Sequence, residues 1–351
     1  MRRTRERQEK EVSGMCEEES QNDAAMIATN AFFVNRNSSN AIPDPERCGT
    51  TPFELKYCIC RVFLVLLSKF IRPHSLPSTR LMREYLDLVD RVLSKGTLKH
   101  NRTGIDTISI FSEYMKIDLS EGFPLLTTKR MNFKSLLHEV LWYLSGEDHI
   151  RNLRKHTKIW DAWADENGNL ETAYGRYWRR FPSAQVNPKT GQYEVKEIDQ
   201  IAEVINVLKT NPTSRRMVIS AWEPGNALHS KLPPCHFSFV FNVQGNKLNC
   251  HLTQRSGDIA LGIPFNIAAY ALLTQAIAGA TGFDVGYFSH TIVDAHIYVN
   301  HINGLKEQLR RKPKALPKLV IARKPVDELK FEDFELAGYE CDEPIKFVVA
   351  V

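Results

Sequence analysis

The residues with the most chemistry to offer lie between Pro233 and Asp258, in the stretch PPCHFSFVFNVQGNKLNCHLTQRSGD. Cys235 brings a thiol, an intrinsically strong nucleophile once deprotonated. Arg255, Ser256 and Asp258 bring a guanidinium, a hydroxyl and a carboxylate. Phe237, Phe239 and Phe241 recur at every second position, which predicts a strand from His236 to Val243. Gln244, Gly245 and Asn246 form a turn, and Leu248 to Gln254 alternates as the returning strand. Such a hairpin gathers thiol, guanidinium, hydroxyl and carboxylate at one end. An arginine beside the thiol favours the thiolate. Arg102, Arg215, Arg216 and Arg255 are candidates to clamp a phosphate, because the planar fork matches phosphate oxygens. His236, Asn266, His296 and Tyr298 also fall at strand or helix ends. A single cysteine is more often inert core filling, and Arg215-Arg216 alone is a solvated charge pair. Their company carries the argument.

Two further sets of residues bear on the chemistry. Glu139 stands beside His138 on an apolar helix predicted from Phe133 to Leu144. A carboxylate there must face a cavity or find a partner. A competing arrangement makes His296 the base for Cys235, with Asp294 behind it. Against it, Asp294 and His296 alternate along an extended stretch and are expected to point apart. Arginines also serve a neutral peptide substrate poorly. The chain has no Gly-rich phosphate loop, no HExxH and no Cys-rich set, so metal chemistry is not suggested. Cys58 and Cys60 lack the supporting ligands of a zinc site.

The elements that must position these groups can be followed along the 351 residues. Residues 1–80 are expected to be a polar, disordered extension, with a more apolar patch from Thr51 to Ile71, and residues 81–351 a single catalytic domain. Met82 to Ser94 has helical spacing and closes at Gly96. A strand is expected near Thr107 to Phe111, a Trp-rich loop at Trp160 to Gly168, and a surface insertion over residues 181–197. Helices are expected at Ile198 to Leu208, Ile267 to Gly279 and His301 to Leu309, and strands at Met217 to Ala221 and Leu319 to Ala322. Ile267 to Gly279 reads as a core helix, too short for a membrane span. Strands and helices mix without a βαβ period, which predicts an α+β fold with a mixed β-sheet and packed helices. The net charge of +5 suits a pocket for a small anion and does not by itself call for nucleic acid. Seven irregularly spaced cysteines predict a reducing compartment. With no secretory signal pattern, a cytoplasmic location is expected, with a nuclear or mitochondrial fraction as alternatives.

An ordered set of motifs then carries a resemblance. It comprises Asn101-Arg102-Thr103-Gly104, Phe123-Pro124-Leu125-Leu126-Thr127-Thr128-Lys129, His138-Glu139, Ile159-Trp160-Asp161, Ser214-Arg215-Arg216 and Pro234-Cys235-His236. It continues with Gln254-Arg255-Ser256-Gly257-Asp258, Gly262-Ile263-Pro264-Phe265-Asn266 and Asp294-Ala295-His296-Ile297-Tyr298. From about Met82 to Val351 the chain resembles the thymidylate synthase family. The resemblance implies reductive methylation of deoxyuridylate (dUMP) to thymidylate (dTMP), with 5,10-methylenetetrahydrofolate as carbon donor and reductant and dihydrofolate as product. It implies that Cys235 attacks C6 of uracil, that Glu139 handles protons, and that Tyr174 and His236 tune the groups near the thiol. Arg102, Arg255 and Ser256 would hold the phosphate, with Arg215 and Arg216 supplied by the partner of a homodimer. Gln254, Gly257 and Asp258 would belong to the substrate site, Asn266 would read the uracil edge, and His296 and Tyr298 would hold the ribose. Asn132, Ile159, Trp160, Asp258, Leu261, Gly262 and Phe265 would meet the folate, and Ala350 with Val351 would close over it.

The chain departs from the family pattern at Thr172 within Leu170-Glu171-Thr172-Ala173, at Tyr177 where Gln is usual, at Val293 where Gly is common, and at Asn132 where some members have His. These put folate affinity and local backbone detail in question but remove no reacting group. A nucleotide hydroxymethylase is disfavoured by Asn266, Trp160 and the Val-Ala-Val tail. RNA binding by the basic face has little charge behind it and no stacking platform. An inactive paralogue conflicts with the intact Cys235, Glu139 and Arg255.

Overall fold

The computed structural model describes residues 82–349 apart from Thr172 and His229, all within a compact unit running from Ser78 to Val351. The expected extension over residues 1–80, the departure at Thr172, and the tail residues Ala350 and Val351 lie outside the described residues. The fold is α+β. A six-stranded mixed sheet has the order β1-β2-β8-β7-β6-β5, with helices packed on it. The strands are β1 (Thr97–Lys99), β2 (Thr107–Asp118), β5 (Val218–Ser220), β6 (His236–Gln244), β7 (Lys247–Asp258) and β8 (Asp284–Tyr298). Strands β6 and β7 are the expected hairpin, with Gln244 opposite Lys247 and Gly245 at φ 60° in the turn. That left-handed φ suits a residue without Cβ.

Strand β7 runs parallel to β8. A parallel pair cannot be joined by a tight turn and needs a crossover. Helix α6 (Gly262–Thr281) supplies it, packing on β7 and β8 and against α2 (Phe133–Ser145) and α4 (Gln200–Thr210). Its Ala, Leu and Ile side chains are buried on nearly every side. The expectation that it is too short to span a membrane does not hold, because its 20 residues with a mean hydropathy of 1.3 meet that length. Burial makes the distinction instead: 72% of the apolar window is enclosed by the protein.

Helix α1 (Arg83–Lys95) buries Tyr85, Leu86, Leu88, Val89 and Val92, the stripe expected of an amphipathic helix. It does end at Gly96, but with extended rather than left-handed backbone. A Cβ there would meet the Val92 carbonyl oxygen at 2.5 Å, so close approach explains the glycine. The insertion at 181–197 is an exposed hairpin of β3 (Phe181–Val186) and β4 (Tyr193–Ile198). Helices α3 (Tyr174–Arg179), α5 (Pro224–Ala227) and α7 (Ile302–Arg310), and the small pair β9 (Lys318–Ile321) and β10 (Phe334–Ala337), complete the unit. One sheet face lies on α6. Val218, Val240, His251 and Ser289 form a row across the other face, where Val218 is 47% exposed and the next three are half-buried.

Candidate active site

Cys235 sits just before β6, beside the end of β7, and Arg255 holds it there. The Arg255 guanidinium donates to the carbonyls of Pro233 at 2.7 Å and Pro234 at 3.0 Å, and reaches the Cys235 sulfur at 3.7 Å. The Cys235 backbone N–H donates to the Tyr174 hydroxyl at 2.8 Å. Burial pushes the thiol up, while Arg255 and then Arg102 pull it back. His236 stacks on Tyr174 with ring centroids 3.6 Å apart, and its Nδ1 lies 2.8 Å from the Tyr270 hydroxyl. Burial, helped by His290, drives the His236 pKa down to about 3, so the imidazole is neutral at physiological pH.

Glu139 faces this group from α2. Its Oε1 accepts from Tyr143 at 2.9 Å and from the Trp160 indole at 2.7 Å. Desolvation raises the carboxyl above its ordinary range despite those two bonds. Trp160 lies among Trp142, Tyr143, Trp163 and Tyr174. Nearby, His138 stacks on His156 and Phe331 at 3.8 and 4.5 Å.

The amide of Asn266 enters from the first turns of α6, and its sense is set by neighbours. Gln254 donates one amide proton to the Ser256 carbonyl at 2.9 Å and one to Asn266 Oδ1 at 3.2 Å. Its own oxygen faces His290 Nε2 at 3.0 Å. Because the Ser256 carbonyl can only accept, the Gln254 amide cannot turn over without putting oxygen against oxygen. Asn266 therefore keeps its oxygen toward Gln254, and among the described residues its NH2 has no hydrogen-bond partner. Gly257 completes this turn of chain, where a Cβ would strike Ile263 and Ile292 at 2.6 and 2.9 Å.

The expectation that Asp294 and His296 point apart is wrong. Positions two apart on a strand share a face, and His296 Nδ1 lies 3.5 Å from Asp294 Oδ1. Asp294 also accepts from Ser109 at 2.7 Å and pairs with Lys99. The His296 bond, then burial offset by the Lys99 and Ser109 bonds, leaves its carboxyl far below the usual range. Among the described residues no hydrogen bond joins His296 to Cys235, so the hydrolase arrangement lacks its base. Tyr298 lies edge-on to His296 at 5.4 Å, and within electrostatic reach of Asp258, Arg102 and Cys235.

Other expected residues divide by place. Asp258 ends β7, where Oδ1 accepts from the Ala260 backbone at 2.9 Å and the Leu261 backbone at 3.4 Å. Leu261, Gly262 and Phe265 follow at the start of α6, and Ile159 with Trp160 is half-buried in the loop facing α2. Arg102 stands exposed on a turn whose shape is fixed by Asn101, which accepts from the Thr103 backbone at 2.9 Å and donates to the Ile105 carbonyl at 2.8 Å. Asn132 caps α2 by accepting from Ser135 N at 3.1 Å, a structural task that sequence alone did not suggest. Arg215 and Arg216 are exposed and are not brought to the thiol. Met217 lies opposite Phe241, six residues along from Cys235 and past the middle of β6. Of the departures, Tyr177 is buried and its hydroxyl accepts from Asn226 at 2.7 Å. Sequence reasoning missed Tyr143, Tyr270 and His290. Tyr143 was within reach of inference, four residues from Glu139 and so on the same helix face.

Comparison with known proteins places these features in context. Residues 83–351 match the family model described as thymidylate synthase. A thymidylate synthase from Haloferax volcanii is 46% identical over 326 aligned residues, covering 75% of this chain and 95% of that protein.

Proposed function

The chain belongs to the thymidylate synthase family, and on that footing we propose that it converts dUMP to dTMP with 5,10-methylenetetrahydrofolate, leaving dihydrofolate. The observation that carries this is the Cys235 thiol within 3.7 Å of the Arg255 guanidinium, with the Asn266 amide fixed in sense by Gln254, the neighbour of Arg255 in the chain. The Cys235 sulfur bonds to C6 of uracil, which makes C5 nucleophilic, and leaves again when the product forms. The folate supplies a one-carbon unit and a hydride, and is itself oxidised to dihydrofolate. Asn266 offers NH2 to the uracil O4 and a second oxygen lone pair to N3–H. With O and N exchanged the same amide would fit cytosine, so the Gln254 contact supports uracil. Burial raises the Glu139 carboxyl above its ordinary range, the direction that suits a group exchanging protons with the substrate. Neutral His236, stacked on Tyr174, keeps that tyrosine under the Cys235 backbone.

Arg102, Arg255 and Ser256 bind the phosphate, His296 and Tyr298 the ribose, and Ile159, Trp160, Asp258, Leu261, Gly262 and Phe265 the folate, with Asn132 at its edge. Arg215 and Arg216 act across a homodimer. Strand register supports this: Met217 pairs with Phe241, six residues along from Cys235, roughly 20 Å at a strand's rise per residue. The uncovered sheet row of Val218, Val240, His251 and Ser289 is the surface on which two copies meet. The test is absorbance of dihydrofolate formed from dUMP and methylenetetrahydrofolate. Dihydrofolate in step with dTMP supports the synthase; hydroxymethyl nucleotide without dihydrofolate would replace it with the hydroxymethylase.

A further inference from the structure

We infer that Tyr177 and Asn226 are positioning residues for Cys235, because their side-chain bond ties the arm of chain that ends in the thiol to the helix that also holds the thiol. The effect on turnover rests on the synthase reading; the hold itself does not.

The arm is residues 222–235 and includes α5. Its end is fixed by Arg255 at the Pro233 and Pro234 carbonyls and by Tyr174 at the Cys235 N–H. Its start is fixed at Trp222, whose N–H donates to the Ser220 hydroxyl at 3.2 Å and whose ring lies edge-on to Phe237 at 6.2 Å. A loop held only at its ends keeps much conformational freedom between them. Tyr177 supplies a hold in the middle. It stands three residues after Tyr174 on α3, so both side chains leave the same helix face. The Tyr174 hydroxyl accepts from Cys235 N at 2.8 Å, and the Tyr177 hydroxyl accepts from Asn226 Nδ2 at 2.7 Å. One helix thus grips the arm at Asn226 and again at Cys235.

Local bonds pass this hold along the arm. Glu223 accepts from Asn226 N at 2.7 Å and from Gly225 N at 3.1 Å, which fixes the turn that presents the Asn226 amide. Ser230 N donates to the Asn226 carbonyl at 3.1 Å, and Leu232 N donates to the Ser230 hydroxyl at 3.2 Å. Pro233 and Pro234 follow, with φ fixed by their rings, and then the thiol. Tyr177 is itself anchored. It is buried, and Gln200 donates to its carbonyl at 2.7 Å while bonding to the Ser220 carbonyl and N–H at 2.8 and 2.9 Å. A hydroxyl braced by α3, α4 and β5 sets the place of the arm instead of following it. The sulfur has to meet one ring carbon, and a misplacement of about 1 Å from a remote change can cost on the order of 100-fold in rate. Gln is usual at position 177 in the family pattern, so the tyrosyl hydroxyl on Asn226 is a device of this chain's own residues.

The experiment uses the full chain with Tyr177→Phe, which removes one oxygen, with Asn226→Ala, and with both. Hydrogen exchange read by mass spectrometry reports the arm without any reaction. Exchange in the peptide spanning residues 222–236 is expected to be about tenfold faster in each single variant, with α2 and α6 unchanged. In steady state kcat is expected to fall about tenfold, with the dUMP dissociation constant within about twofold. The double variant is expected to match the singles, because all three lack the same bond. Exchange and kcat unchanged in both single variants would overturn the inference. So would faster exchange with unchanged kcat, the mark of a bond that serves the fold alone, and so would losses that multiply in the double variant. If the unaltered protein made no dihydrofolate, the synthase reading would fall, and exchange would still decide the hold.

Discussion

Opposing influences set the reactivity of Cys235. Burial raises the thiol, and the charges of Arg255 and Arg102 lower it. Removing Arg255 leaves burial less opposed. Arg255→Ala is therefore expected to slow iodoacetamide alkylation of Cys235 at pH 7.5 by several-fold, roughly the thiolate fraction lost; an unchanged rate would mean that the guanidinium does not act on the sulfur. Glu139 gives a second test. Its folded pKa is raised, so the folded protein holds this proton more tightly than the unfolded chain. Stability then falls as pH rises from the ordinary carboxylate range, near pH 4, through the raised value. Glu139→Gln keeps an oxygen for Tyr143 and Trp160 while removing the charge. It is expected to melt higher than the parent at pH 8, to lose that advantage near pH 4, and to be inactive. Equal melting at both pH values would contradict the burial argument.

Elements hold these residues in register through a few close approaches. Gly175 in α3 lies against the backbone of α2, where a Cβ would meet the Tyr143 carbonyl oxygen at 2.5 Å and its Cα at 2.9 Å. Neither atom can move without moving the helix that carries Glu139. Gly175→Ala is expected to cost about 1–3 kcal/mol, the range of overpacked cores, measured by urea unfolding, and to lower turnover through Tyr174. The sequence made the hairpin legible because Phe239 and Phe241 alternate into the core and Gly245 marks its turn, although Phe237 is only half-buried, at the bulge between His236 and Ser238. It made α2 and α6 legible through apolar spacing. Strands β1 and β10 escaped, since Thr97–Lys99 is wholly exposed and Phe334–Ala337 has a single buried residue, leaving little pattern to detect. The opposite orientation of Asp294 and His296 was an error in applying strand periodicity, not a missing signal. Contacts such as Gln254 with His290 and Glu139 with Trp160 join residues 36 and 21 positions apart, so no local pattern encodes them. The family motifs supplied the expected site residues, but not Tyr143, Tyr270 and His290, which bond to Glu139, His236 and Gln254.

At the scale of the whole molecule, the arginines that precede β5 belong to a different end of the sheet from the thiol. If they complete a partner's site, two inactive variants can repair each other. Cys235→Ser lacks the nucleophile and Arg216→Ala lacks the donated arginine. Unfolded together and refolded as a mixture, they are expected to regain about one quarter of full activity, because half the dimers are mixed and each has one complete site. No recovery above the separate variants would place the arginines in their own subunit's site. The proposed reaction turns on a transient bond between Cys235 and C6 of the pyrimidine. Its most direct test is mass spectrometry of the protein incubated with 5-fluorodeoxyuridylate and methylenetetrahydrofolate, where the fluorine blocks loss from C5 and traps the adduct. The account predicts a ternary adduct on the peptide bearing Cys235, absent from Cys235→Ser. Unmodified Cys235 in protein that binds both ligands would contradict it.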